Sequence, residues 1–170
     1  DPRIDDQWGL EQTPGLNLAS AWDISTGESS VVVAVIDTGI QLDHPDLVSN
    51  IWTNPGEVAG NGIDDDGNGY IDDVHGWDFY NDDSDPSDDH GHGTHVAGTI
   101  GADANNGIGV SGVAHDVQLM ALKAFNSQGR TYNNSTLRAL EYAMDNGAKI
   151  SNHSYGSAYS SSAEESLIED

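Results

Sequence analysis

The stretch Asp89-His90-Gly91-His92-Gly93-Thr94-His95 places three imidazoles within six residues, at the start of a helical pattern. Imidazole changes charge near neutral pH and is the commonest metal-binding side chain. Two chemistries are therefore open: His90, His92 and His95 as metal ligands, or one of them as a general base working with a carboxylate. The candidate carboxylate is Asp37, which ends the apolar run 30–36 and opens Asp37-Thr38-Gly39. A carboxylate at the end of a buried strand is desolvated and needs a cationic or hydrogen-bonding partner. An imidazole is such a partner, and the Asp would in turn fix its tautomer and stabilise the imidazolium. A third cluster offers only oxygen: Asp64-Asp65-Asp66-Gly67-Asn68-Gly69-Tyr70-Ile71-Asp72-Asp73. Asp64, Asp66 and Asn68 fall at positions one, three and five of a calcium loop, with Gly69 at the sharp turn. Tyr70 offers its carbonyl at position seven and Asp72 stands at nine, with Asp73 or Asp78 available to complete the shell. Position twelve is His75 and no helix pair flanks the loop, so an EF-like loop is expected here rather than an EF-hand.

Parallel strands and crossover helices are what would position these groups. Run 30–36 is continuously apolar and β-branched, the pattern of a strand covered on both faces. Segments 117–125 and 149–153 are further expected strands. Helices are expected over 93–102 and 135–146, the latter with Leu137, Leu140, Ala143 and Met144 on one face and Gly147 as its stop. A last helix is expected from Ser162, where Glu165 completes a capping box. Strand, helix, strand, helix, strand implies an α/β fold with a mostly parallel sheet flanked by helices. In such sheets ligands bind at the carboxyl ends of the strands, where Asp37, segment 126–131 and Ser154-Tyr155-Gly156 all fall. The Gly-, Asn- and Asp-rich segment 52–89 is too long for a simple connection and is expected to be a functional insertion. Neither repeats nor an interdomain linker interrupt the 170 residues.

Composition narrows the function classes. Five Lys and Arg stand against 29 Asp and Glu, for a net charge of −24. Such a polyanion does not seek nucleic acid or anionic lipid through its general surface. Zero Cys excludes disulfides, thiolate catalysis and zinc–thiolate sites. No apolar run approaches the roughly 20 residues of a membrane span. Asp1 in place of an initiator Met is what a processed start would leave.

The words around these residues carry a family resemblance. The His-x-His-x-x-His spacing is similar to the zinc motif of metallo-β-lactamase-like hydrolases, but Thr94 stands where that family has a metal-holding Asp. Val35-Ile36-Asp37-Thr38-Gly39-Ile40 and His44-Pro45-Asp46-Leu47 resemble the Asp region of subtilisin-like serine proteases. His92-Gly93-Thr94-His95-Val96-Ala97-Gly98-Thr99-Ile100 matches that family's His region throughout. Ile150-Ser151-Asn152-His153-Ser154-Tyr155-Gly156 resembles its substrate-binding strand, and 105–114 its calcium loop. The likeness runs from about Gln7 to Asp170 and implies a three-layer subtilisin-like fold, incomplete in this chain.

What the resemblance implies is peptide-bond hydrolysis, with Asp37 orienting and His92 as general base and then acid. His95 becomes a packing residue and His90 a solvent-side neighbour. Gly129, Arg130 and Thr131 match the outer substrate-binding strand, and Ser154, Tyr155 and Gly156 the inner one. Asp1, Asp46, the Asn106 side chain and the carbonyls of Ala104, Ile108 and Val110 match a second calcium site. The family's Gly-Thr-Ser-Met-Ala nucleophile motif does not occur here, nor does its oxyanion Asn. Losing the nucleophile removes on the order of 10⁶-fold in kcat. The 170 residues are thus expected to be the amino-terminal part of a secreted, calcium-stabilised endopeptidase domain, cut inside a helix and inactive alone. The partners expected are polypeptide substrates and a carboxy-terminal remainder, as a second chain or a missing segment. Two alternatives stand beside this: an inert calcium-binding fragment that pairs with another chain, and a zinc metallohydrolase.

Overall fold

In a computed structural model, residues 1–10, 15–156 and 162–169 are described. Four parallel strands form one sheet: β1 (Val32–Asp37), β2 (Gly76–Asp78), β3 (Gln118–Lys123) and β4 (Ile150–Asn152), in the spatial order β2-β3-β1-β4. The helices are α1 (Leu18–Trp22), α2 (His92–Gly101), α3 (Asn133–Asp145) and α4 (Ser162–Glu169). The α/β architecture expected from the sequence is therefore present. The two central strands are the two continuous apolar runs, buried on both faces as their composition requires.

Alternation along β1 and β3 divides the core in two. Val33, Val35, Leu119 and Ala121 face one side with Leu47 and Ala97 of α2. Ala34, Ile36, Met120 and Leu122 face the other with Trp77, Phe79 and, from α3, Leu140 and Tyr142. Asp37 and Lys123 are register partners at the carboxyl ends of β1 and β3. By the period of two, both continue the α2-facing set. Among the described residues β4 pairs with β1 alone, and Ile150 on it is 55% exposed, so they leave this edge of the sheet open.

Three elements differ most from expectation, and one of them, α1, has no counterpart among the expected helices. β2 is only three residues long and lies in the insertion, with Gly76 packed so close to β3 that a Cβ there would sit 1.9 Å from the Ala121 carbonyl oxygen. Its register comes from packing against β3, which no periodicity records. α3 begins at Asn133, two residues before the expected start, within the usual uncertainty of a helix boundary.

Candidate active site

The end of β1 and the start of α2 meet because nothing larger than hydrogen stands between them. A Cβ on Gly93 would lie 2.2 Å from the Gly39 carbonyl oxygen and 3.1 Å from Asp37 Cβ. This contact brings the first side chain of α2 over the strand end, and His92 Nδ1 lies 2.7 Å from Asp37 Oδ1. The Asp37 side chain is 3% exposed and that of His92 46%. Asp37 Oδ1 also accepts the Thr38 N–H at 2.7 Å. The carboxylate thus holds Nδ1 as the N–H tautomer, leaving Nε2 free to take a proton.

A residue that spacing did not single out locks the two elements together. Asp88 Oδ1 accepts from the Thr38 hydroxyl and from the His90 and Gly91 N–H groups, at 2.8, 2.9 and 2.8 Å. Its Oδ2 accepts from the Thr94 N–H and hydroxyl, at 2.9 and 2.6 Å. The Thr38 hydroxyl in turn accepts the Gly93 N–H. Burial raises the Asp88 carboxyl, but the hydrogen bonds from Thr94, Gly91 and His90 outweigh it and hold the pKa at about 2, below the usual 3.8. The available signal was position: an Asp just ahead of a helix is a capping candidate. Among five scattered aspartates in 82–89, that signal is lost.

A cleft of about 280 Å³ opens beside the pair, lined by Asp37, His92, His90, Phe125, Gly129, Ser154, Tyr155 and Gly156. Four of the six expected substrate residues, Gly129, Ser154, Tyr155 and Gly156, therefore share a wall with the pair. Arg130 and Thr131 lie outside that lining. The Arg130 N–H closes a turn on Asn126 Oδ1, and the Thr131 hydroxyl donates to the Ala124 carbonyl. The three imidazoles do not form a metal centre: His92 is committed to Asp37, and His95 lines a separate cavity of about 510 Å³. The zinc-hydrolase alternative loses its ligand set for that reason.

Among the described residues, the group whose ligand atoms converge within 4.8 Å is Glu57, Asp66 and Asp73. Of the five loop residues read as ligands, Asp66 belongs to this group, and the Asn68 side chain reaches both Asp66 and Asp73. Asp64 accepts the N–H groups of Gly67, Asn68 and Gly69, and Asp72 those of Asn61 and Gly62. The Tyr70 ring packs in the aromatic core against Trp77, Phe79 and Tyr142. Glu57 stands seven residues before the loop, where loop spacing gives no signal. In the second group, the Asn106 side chain and the Val110 N–H donate to buried Asp46, and Asp1 accepts from Asn105 and Gly107. Ile108 N–H donates to Asn106 Oδ1, so Asp1, Asp46 and segment 104–110 form one assembly.

Asp37, His92 and, just beyond the end of β4, Ser154-Tyr155-Gly156 follow one another along this sheet, and the model of the subtilase family, peptidase S8, matches residues 28–169. The chain belongs to the subtilase family. It is 40% identical over 152 residues to subtilisin-like protease 1 of Plasmodium berghei, covering 88% of this chain and 25% of that protein. To thermitase of Thermoactinomyces vulgaris it is 35% identical over 136 residues, covering 80% of this chain and 40% of that one. The fold is also that of the Aeromonas sobria serine protease solved with its chaperone, at a TM-score of 0.73 and 24% identity, over 99% of this chain and 28% of that one. This subtilase chain thus spans between about a fifth and two fifths of the length of the curated relatives it matches. Among its described residues, no helix is long and apolar enough to cross a membrane.

Proposed function

We propose that this chain supplies the orienting Asp and the general-base His of a secreted, calcium-stabilised serine endopeptidase. The observation that carries the reading is the 2.7 Å bond from His92 Nδ1 to buried Asp37, beside a cleft lined by Gly129 and Ser154-Tyr155-Gly156. In this mechanism His92 Nε2 takes the proton of a serine hydroxyl as it attacks the peptide carbonyl, then passes it to the leaving amine. Asp37 holds the ring in the productive tautomer and stabilises the imidazolium between the two transfers. Gly129 and segment 154–156 flank the place where the substrate backbone lies as an added strand. The serine and the oxyanion donor come from a further segment or second chain, in keeping with the share of the relatives that this chain spans. The open edge of the sheet at β4 is a place for that remainder to pair. The 170 residues alone then hydrolyse nothing.

Calcium fits the donor chemistry, since both acidic assemblies offer only oxygen and calcium takes six to eight such ligands. Glu57, Asp66, Asn68 and Asp73 would hold one ion. Asp1, Asp46, Asn106 and the carbonyls of Ala104, Ile108 and Val110 would hold another. Bound there, calcium supplies charge neutralisation and loop order and takes no part in the proton transfers.

The test is fluorophosphonate labelling of the protein that contains this chain, alongside hydrolysis of a chromogenic peptide. Labelling of a serine outside residues 1–170, abolished by His92→Ala, is the expected outcome. Hydrolysis that survives His92→Ala overturns the assignment.

A further inference from the structure

Lys123 is one of five basic residues in the chain, yet it is 2% exposed at the end of a central strand. A buried ammonium is costly unless its protons are all bonded, and here each of the three has an acceptor. Nζ donates to the Thr38 carbonyl at 2.8 Å, to the Phe125 carbonyl at 2.9 Å and to Asp89 Oδ1 at 2.7 Å. Each acceptor belongs to a different part of the site. Thr38 follows Asp37, and its own N–H is bonded to the Asp37 carboxylate, so this residue is held through both of its backbone polar groups. Phe125 lines the cleft and packs on Tyr155 with ring centroids 5.0 Å apart. Asp89 lies three residues before His92, next to the Asp88 that caps α2.

An apolar side chain would fill this space with less desolvation, so packing alone does not account for a cation here. We propose that Lys123 is a positioning residue for the Asp37–His92 pair, its ammonium tying the strand end, the cleft wall and the approach to α2 to one point. Lys123 sets where Asp37 and Phe125 sit relative to His92 and touches neither substrate nor the transferred proton. This role rests on the peptidase reading of the site, and the test separates the two.

Lys123→Met keeps the length of the side chain and removes the three donors. Asp89→Asn, at a half-exposed position, weakens one of the three ties without opening the core. In the protein that contains this chain, Lys123→Met is expected to lower kcat by about 10- to 100-fold, the range for misplacing reacting groups by up to about 1 Å. KM should change by less than about threefold, because the ammonium does not contact substrate. Asp89→Asn is expected to lower kcat in the same direction by a smaller factor. The second readout is the downfield Nδ1 proton resonance of His92, which reports its bond to Asp37 without any turnover. It should broaden or move upfield in Lys123→Met while the far-ultraviolet spectrum remains that of the unmutated protein. If Lys123→Met does not fold, the resonance and kcat of Asp89→Asn decide. Unchanged kcat and an unchanged His92 resonance in the folded variants overturn the proposal. If the unmutated protein shows no hydrolysis, the peptidase reading fails, and the resonance still decides the role of Lys123.

Discussion

Replacing Gly93 by Ala tests the contact that puts His92 over Asp37. The new methyl would meet the Gly39 carbonyl oxygen at 2.2 Å, with Asp37 Cβ and Oδ1 at 3.1 and 3.2 Å. Ordinary carbon–oxygen contact needs about 1 Å more than that, and the obstacle is backbone, which cannot swing aside as a side chain would. The first turn of α2 must therefore lift by about 1 Å, and a 2.7 Å hydrogen bond stretched by that amount passes the 3.5 Å beyond which it is no longer one. Overpacking of this kind costs about 1–3 kcal/mol, offset by up to about 1 kcal/mol from the better helix propensity of Ala. For a domain of this size each kcal/mol is worth about 2–4 °C in Tm. Gly98→Ala is the matched control, since the same helix has nothing within 4 Å of a Cβ there. It should leave Tm unchanged or raise it. Thermal melting and the imidazole nitrogen spectrum of His92 are the assays. A Gly93→Ala protein that melts with the Gly98→Ala control and keeps the His92–Asp37 signal would refute the close-approach reasoning.

Asp88 has its folded pKa below the unfolded value, so its contribution to stability is present above about pH 4 and is lost as pH falls toward 2. The Tm difference between the unmutated protein and Asp88→Asn should shrink over that window, and a constant difference would count against the assignment. Tyr142 donates its hydroxyl to fully buried Asp73, and burial and that carboxylate push its pKa well above the usual 10, so it stays a donor at any working pH. Tyr142→Phe leaves the carboxylate one donor short and should cost about 1–3 kcal/mol in denaturant unfolding. Calcium at about 100 times its dissociation constant should add about 2.7 kcal/mol per site. Chelation should speed proteolytic cleavage first within 57–73 and 104–110, and equal cleavage rates with and without chelator would exclude both sites.

Much of the fold was legible because its signals are local. The apolar runs gave β1 and β3, the three-and-four spacing of Leu137, Leu140, Ala143 and Met144 gave α3, and the His92-Gly93-Thr94-His95 motif gave the start of α2. The site was legible in part. Asp37, His92 and four cleft residues lie where motif positions put them. Asp88, Lys123 and Glu57 did not stand out, because what distinguishes them is the contact each makes across the fold. A lysine inside Leu119-Met120-Ala121-Leu122-Lys123-Ala124-Phe125 looks like the exposed end of a strand until the Thr38 and Phe125 carbonyls are seen around it. Glu57 is likewise an ordinary loop acid until the chain folds back to place it against the Asp65, Asp66 and Asp72 N–H groups.

The net charge of −24 gains a structural sense from these contacts. With five cations for 29 carboxylates, ion pairing cannot be the general means of satisfying them, and Arg3–Asp6, Lys123–Asp89 and Arg138–Asp82 are the pairs with Lys or Arg among the described residues. Backbone N–H groups serve instead. Asp1, Asp46, Glu57, Asp64, Asp72, Asp78 and Asp88 each accept from loop or turn amides. The insertion has little regular structure, and acidic side chains there do what a neighbouring strand does elsewhere: they give orphaned amides an acceptor. An amide bond to a carboxylate is stronger than one to a neutral oxygen, but each one adds to the mutual repulsion of the acids. Raising ionic strength screens that repulsion at exposed positions and leaves the short amide bonds largely intact. The melting temperature of this chain should therefore rise with sodium chloride even under chelation, and a fall with salt would show that ion pairs, not carboxylate–amide bonds, order the insertion.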